Sequence, residues 1–125
     1  MTGSDISSHR DLKVWQEAMT LAVQAYNLTA GFPRQEAFGL TAQIRRATSI
    51  AANIAEGYGR ESTGSYVHFL RVSQGSLKEL ETLLILSGRV SLSTVTQVTP
   101  LLEKCDELGR MLRSLIRSVS TRNDQ

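Results

Sequence analysis

Cysteine occurs once in the 125 residues, at Cys105, so the chain can close no internal disulfide and offers no second thiolate for a zinc pair. That scarcity suits a reducing compartment. No apolar run nears the roughly 18 residues of a membrane span. The polar start Met1-Thr2-Gly3-Ser4-Asp5 lacks the apolar stretch of a secretory signal, and the expected location is cytoplasmic, with no membrane partner. Histidine is confined to His9 and His68, and no Glu-x-x-His pair is present, which excludes the usual di-iron bundle site. His9 reads as a solvated residue and His68 as a partly exposed helical one. Gly57-Tyr58-Gly59 follows a helical pattern and lacks the Gly-x-Gly-x-x-Gly wording, so it reads as a turn rather than a phosphate loop. No Ser, His and acid arrangement emerges from spacing, and Cys105 falls at core spacing between leucines. The expectation is a protein without catalytic residues, metal or other cofactor.

Charge of either sign is also sparse. Fourteen Lys plus Arg against twelve Asp plus Glu leave +2, too little by itself to establish a nucleic-acid partner. The imbalance lies in type: eleven cations are Arg, and only Lys13, Lys78 and Lys104 are Lys. The planar guanidinium suits phosphate recognition better than an ammonium does.

What remains is helical periodicity. With 41% hydrophobic and 21% charged residues the chain fits one domain over 1–125, with loose tails at about 1–8 and 120–125. Alternating strand patterns are missing, and the two prolines, Pro33 and Pro100, lie where a helix begins or has just begun. A first pattern runs from Leu12 through Trp15, Ala18, Ala22, Ala25 and Tyr26, with Asp11 placed to cap it, and ends at Ala30-Gly31-Phe32-Pro33. A second is continuous from Leu40 through Ile44, Ala47, Ala51 and Ile54 to Tyr58, with Gly57 and Gly59 at its C-terminus. The third follows the capping candidate Ser62, carries Tyr66, Phe69, Leu70, Leu77, Leu80 and Leu84, and closes near Gly88. The fourth starts after Ser93 or Thr94 and carries Val98, Leu101, Cys105, Leu108, Leu112, Ile116 and Val119. Four helices with short connections predict an all-α, antiparallel up-and-down four-helix bundle.

Two polar features stand out. The second helix has a further face of Gln43, Arg46, Ser49 or Ile50, Asn53 and Glu56. One reading is an internal network in which Arg45 or Arg46 pairs with Glu79 or Glu81; the other is a subunit or nucleic-acid surface. Ala47-Thr48-Ser49, Ala51-Ala52 and Gly75-Ser76 would let another helix approach closely. In the fourth helix Glu103, Asp106 and Glu107 precede Arg110, Arg113 and Arg117, which share one stripe. The stripe suits the helix dipole and an Asp106–Arg110 pair, and equally suits phosphate binding. No aromatic interleaves it, so base stacking has little support there.

An ordered set of words adds to this: Asp11-Leu12-Lys13-Val14-Trp15, Phe32-Pro33, Gly39-Leu40-Thr41-Ala42-Gln43-Ile44-Arg45-Arg46-Ala47, Ser49-Ile50, Asn53-Ile54-Ala55-Glu56-Gly57, Gly59-Arg60 and Gly75-Ser76-Leu77-Lys78-Glu79-Leu80-Glu81. Over roughly residues 9–119 it resembles the bacterial four-helix-bundle family of 23S rRNA intervening-sequence proteins, also labelled S23 ribosomal proteins. Ala51-Ala52 departs from the commoner Ser-Ile-Pro-x-Asn-Ile wording before Asn53. Relatives include accessory variability proteins of diversity-generating retroelements, which resemble basic, pentameric bundles associated with nucleic acid and a reverse transcriptase. The resemblance implies a homo-oligomeric ring, a pentamer, in which small positive patches add up.

Three functions compete. The first is a nonenzymatic homo-oligomeric scaffold binding RNA, DNA or a nucleoprotein, with Arg45, Arg46, Arg60, Arg110, Arg113 and Arg117 as contacts and Gln43, Asn53, Glu56, Glu79 and Glu81 as a supporting polar network. The second is an adaptor binding another protein without touching nucleic acid. The third, an enzyme with an unrecognised pocket, has no residue pattern to specify its reaction.

Overall fold

Apolar residues recurring every three to four positions bury one stripe of each helix, and four such stripes close on one another. The computed structural model describes residues 6–123. The helices are α1 (Lys13–Ala30), α2 (Leu40–Arg46), α3 (Ile50–Tyr58), α4 (Thr63–Arg89) and α5 (Val95–Asn123), with short 3-10 turns at His9–Asp11 and Arg34–Glu36 and no strand among the described residues. The α2 and α3 segments both pack on α1 and α4, α4 packs on α5, and α5 returns to α1, closing an antiparallel four-helix bundle. Leu21, Ile44, Ile50, Ile54, Leu70, Leu80, Leu84, Leu108 and Leu112 fill its centre, each removed from water at 0–1% exposure. Burial of each such side chain favours folding by roughly 1.5–3 kcal/mol before entropy is counted.

The second predicted helix is not continuous. Its ladder breaks at Ala47-Thr48-Ser49, where the Thr48 hydroxyl donates to the Arg45 carbonyl at 2.6 Å and its amide bonds the same carbonyl at 3.2 Å. Threonine thus takes over a backbone acceptor, the competition that makes Ser and Thr weak helix formers. The ladder restarts with the Asn53 amide donating to the Ser49 carbonyl at 3.0 Å. The break is stitched to α4: the buried Ser73 hydroxyl lies 3.2 Å from the Ile50 carbonyl and 3.1 Å from that of Phe69.

Close approach of α3 to α4 depends on Gly57, which lies inside α3 rather than in a turn. A Cβ there would fall 2.8 Å from the Phe69 Cβ and 3.1 Å from the Tyr66 carbonyl oxygen. At Gly75, by contrast, the corresponding position meets nothing within 4 Å, so this glycine admits no neighbouring helix of the chain.

The N-terminal caps follow the expected chemistry at α4 and α5 and differ at α1. Ser62 accepts from the Ser65 amide at 3.1 Å to start α4. Thr94 accepts from the Gln97 amide at 3.2 Å while the Gln97 side chain accepts from the Thr94 amide at 2.8 Å, a reciprocal capping box for α5. Asp11 does not cap α1. Its carboxylate accepts from the Ser7 and Ser8 amides at 2.9 and 3.1 Å, closing the preceding 3-10 turn, and these donors hold its pKa below the ordinary value. α4 closes near Gly88 as expected, running one residue further to Arg89. The left-handed residue is Ser91 (φ 64°), and the Leu92 amide reaches back to the Ser87 carbonyl at 2.8 Å while that of Ser91 bonds the Gly88 carbonyl at 3.1 Å, a Schellman ending. The buried Ser87 and Ser93 hydroxyls, 2.7 Å apart, hold this connector.

Part of each expected loose end carries regular structure among the described residues. Ser7 and Ser8 are tied to Asp11, and α5 extends through residues 120–123. Residues 1–5 and 124–125 of those tails lie outside the described residues.

Candidate nucleic-acid interface

The core stripe of α5 decides where its cations go. Cys105, Leu108 and Leu112 are buried, and at 100° per residue Arg110, Arg113 and Arg117 fall on the opposite side, all exposed. Among the described residues no carboxylate lies within 4 Å of any of the three, so the expected Asp106–Arg110 pair does not form. Three guanidiniums are therefore presented to solvent with their charge uncompensated by contact.

Two of them, Arg110 and Arg113, line grooves. Between α1 and α5 lies one of about 540 Å³, where Lys13 and Arg110 flank Leu12, Val14, Met111 and Leu115. Between α4 and α5 lies another of about 380 Å³, lined by Arg71, Gln74, Gly75, Leu77, Lys78, Gly109 and Arg113. Arg71 is exposed and also has no carboxylate within 4 Å among the described residues, whereas Lys78 pairs with Glu81 at 3.3 Å. The sequence reading missed Arg71. Folding the two long helices back on each other about the connector near Leu92 brings it to the groove shared with Arg113, and that reflection is the signal that would have found it.

The arginines of the second helical region are less available. Arg45 is half-buried: its Nε donates to the Thr29 hydroxyl at 2.9 Å, and its guanidinium carbon stands 4.6 Å from the Tyr26 ring centroid. Arg60 pairs with Glu56 at 3.2 Å and stands 4.9 Å from the Phe69 ring centroid, though both charged side chains remain about half exposed. Arg46 is exposed near the break after α2.

The five residues expected to form one polar network are not brought together. The Asn53 side-chain amide donates to the Ser49 carbonyl of its own helix at 3.0 Å. Glu56 faces Arg60 and Glu81 faces Lys78, while Gln43 and Glu79 are exposed. Neither Arg45 nor Arg46 reaches Glu79 or Glu81; Arg45 is turned toward α1 instead. Carboxylates near the surface gain little from leaving water, which is why each settles for a partner three or four residues away in sequence or none.

The strongest ionic contact is one that helix periodicity does not reveal. Lys104 on α5 donates to Glu17 on α1 at 2.7 Å, with Glu107 at 3.7 Å, and the first two side chains are only about one-fifth exposed. The hydrogen bond from Lys104 is the main cause holding Glu17 below its ordinary pKa, and the same bond raises that of Lys104. His9 is not simply solvated either, since its ring meets Trp15 edge-on at 5.2 Å.

Burial pushes the Cys105 thiol up to about 12, helped by the negative charges of Glu81 and Asp106, which makes it a poor nucleophile at neutral pH. Among the described residues no three His, Cys, Asp or Glu side chains gather as a metal-binding group, and no helix is long and apolar enough to cross a membrane.

Comparison with known proteins agrees with this bundle. No curated protein matches the chain. A crystal structure from Bacteroides thetaiotaomicron, described as a protein of unknown function from the S23 ribosomal protein family, is 27% identical, with a TM-score of 0.74 over 82% of this chain and 97% of that one. Residues 10–114 match the family described as 23S rRNA-intervening sequence protein, and the span takes in α1 to α4 and most of α5. With most of its length matched and its four-helix architecture shared, the chain belongs to the 23S rRNA-intervening sequence protein family.

Proposed function

We propose that this protein is a nonenzymatic homo-oligomeric scaffold that binds RNA, or a nucleoprotein, through the arginine-bearing faces of its long helices. The observation that carries the reading is the exposed stripe of Arg110, Arg113 and Arg117, with no contacting carboxylate among the described residues. Guanidiniums held on a rigid helix and not neutralised by neighbours are suited to phosphate, and their cost to the fold is small because they are hydrated. A single copy carries only +2, so a ring of copies is the arrangement that concentrates the charge; a reverse transcriptase with its RNA is one nucleoprotein of the right chemistry.

The test is a salt titration of RNA binding by fluorescence anisotropy, together with light scattering. Affinity should fall steeply with salt, and the Arg110→Ala, Arg113→Ala, Arg117→Ala triple variant should bind more weakly with a shallower slope. An affinity indifferent to salt rejects phosphate neutralisation, and a monomer at working concentration rejects the ring.

A second reading, a protein adaptor without nucleic-acid contact, draws on a different surface. Phe38 is 98% exposed and Val95 82%, and the antiparallel order of the helices puts both at the end of the bundle that carries the α4–α5 connector and exposed Val90. A partner retained after nuclease treatment, and lost in Phe38→Ser, favours that reading.

A further inference from the structure

The middle of α4 holds a glycine that packing within the chain does not explain. Gly75 sits far from both ends of a 27-residue helix, where glycine is destabilising relative to alanine, yet a Cβ placed on it meets no atom within 4 Å. Gly57 shows the contrast, since there the side chain must be absent for α3 and α4 to touch. At Gly75 the missing side chain leaves a stretch of helix backbone uncovered.

That stretch lies in the α4/α5 groove beside cations. Arg71 is one turn earlier on α4 and Arg113 stands on α5, neither with a carboxylate within 4 Å among the described residues. Lys78 lies at the other side of Gly75 and is tied to Glu81, so the positive charge is concentrated toward Arg71 and Arg113. The second glycine of the groove, Gly109, has its Cβ position 3.8 Å from an Arg113 guanidinium nitrogen and 3.7 Å from a Leu77 methyl, so the wall under Arg113 is low as well. No aromatic ring lines the groove, and nothing there would stack a base. A duplex is far wider than the roughly 8–10 Å between the axes of packed helices, so the groove suits one strand.

We propose that this groove seats the phosphodiester backbone of single-stranded RNA, with a phosphate between Arg71 and Arg113 over the uncovered backbone at Gly75. The inference rests on the RNA-binding reading above and adds to it the place, the moiety recognised and a purpose for Gly75. Arg71 supplies one prong of the clamp and Arg113 the other, while Gln74 offers an amide at the rim. Any side chain at Gly75 large enough to fill the groove closes the site without disturbing the core.

The experiment is fluorescence anisotropy of the full chain with a labelled oligouridylate, and with the matching oligothymidylate, across a salt series. Arg71→Ala should weaken oligouridylate binding and flatten the plot of log K against log salt by about 0.7 for one lost phosphate contact. Gly75→Leu should weaken it at least as much with unchanged helix content, and Arg71→Lys should recover part of the loss. Oligothymidylate should bind no more tightly than oligouridylate, and tighter binding would overturn RNA as the occupant. If Gly75→Leu and Arg71→Ala bind like wild type while the α5 triple variant does not, the groove is excluded and the broader function stands. If Gly75→Leu changes the mass in light scattering but not the affinity, the groove faces another copy and the proposal fails. Wild-type protein that binds neither oligonucleotide at low salt removes both proposals.

Discussion

Arg45 on α2 and Thr29 on α1 are joined by a 2.9 Å hydrogen bond from the guanidinium Nε to the threonine hydroxyl, which itself donates to the Ala25 carbonyl at 2.9 Å. The chain Arg45–Thr29–Ala25 ends in the interior, because Thr29 is 2% exposed. Stacking on Tyr26 fixes the guanidinium further. Thr29→Val keeps the shape but removes the hydroxyl, and should lower stability by about 1–2 kcal/mol in urea denaturation. Arg45→Ala should also destabilise while leaving RNA affinity unchanged, because its cation is turned toward α1.

The two glycines of the α3/α4 region should respond to the same substitution with opposite signs. Gly57→Ala forces a methyl to within 2.8 Å of the Phe69 Cβ and should lower stability by roughly 1–3 kcal/mol. Gly75→Ala meets nothing within 4 Å and should raise it by roughly 0.5–1 kcal/mol. Thermal unfolding of both variants at one pH checks the pair.

Ser91 occupies the left-handed region at φ 64°, a conformation that glycine adopts without the steric cost of a Cβ. Ser91→Gly should therefore stabilise the Schellman ending of α4 by roughly 1 kcal/mol, read as a higher midpoint in thermal unfolding. The Ser87–Ser93 hydroxyl pair does not involve this side chain and should survive the change.

The Glu17–Lys104 contact sets a pH signature with two edges. Glu17 is held below its ordinary value of 4.5, so its contribution is fully present above that value and is lost as pH falls through the depressed folded one. Lys104 is raised above 10.5, so its contribution is fully present below 10.5 and is lost as pH rises through the higher folded one. Stability of the wild type relative to Glu17→Gln should therefore be flat between these values and fall away beyond each. Denaturation midpoints across the pH range measure the difference, and a constant gap at acid pH would contradict it.

Much of the bundle was legible because apolar spacing records which stripe of a helix faces inward. The limits of α1, the Ser62 and Thr94 caps and the exposure of Arg110, Arg113 and Arg117 all follow from that phase and from local hydrogen bonding. The break at Thr48 escaped notice because Ile44, Ala47, Ala51 and Ile54 keep their spacing across it, so periodicity alone does not register a hydroxyl taking a carbonyl from the ladder. Lys104–Glu17 and Arg45–Thr29 escaped for another reason. Their partners are 87 and 16 residues apart, and helix phase says which way a side chain faces without saying what stands opposite. Arg71 had no local motif at all and acquires its company only when α4 and α5 are folded together.

Arg71 and Arg113 are each 21 residues along the chain from Leu92, and Gly75 and Gly109 are each 17. At 1.5 Å per residue the arginines stand roughly 30 Å from that bend. A handful of serines at one tip of the molecule thus sets the alignment of two antiparallel rods, and through it decides which positive side chains become neighbours near the far tip. Lengthening that bend by one residue would slide the rods out of step, scattering the charges while every helix, taken singly, stayed intact.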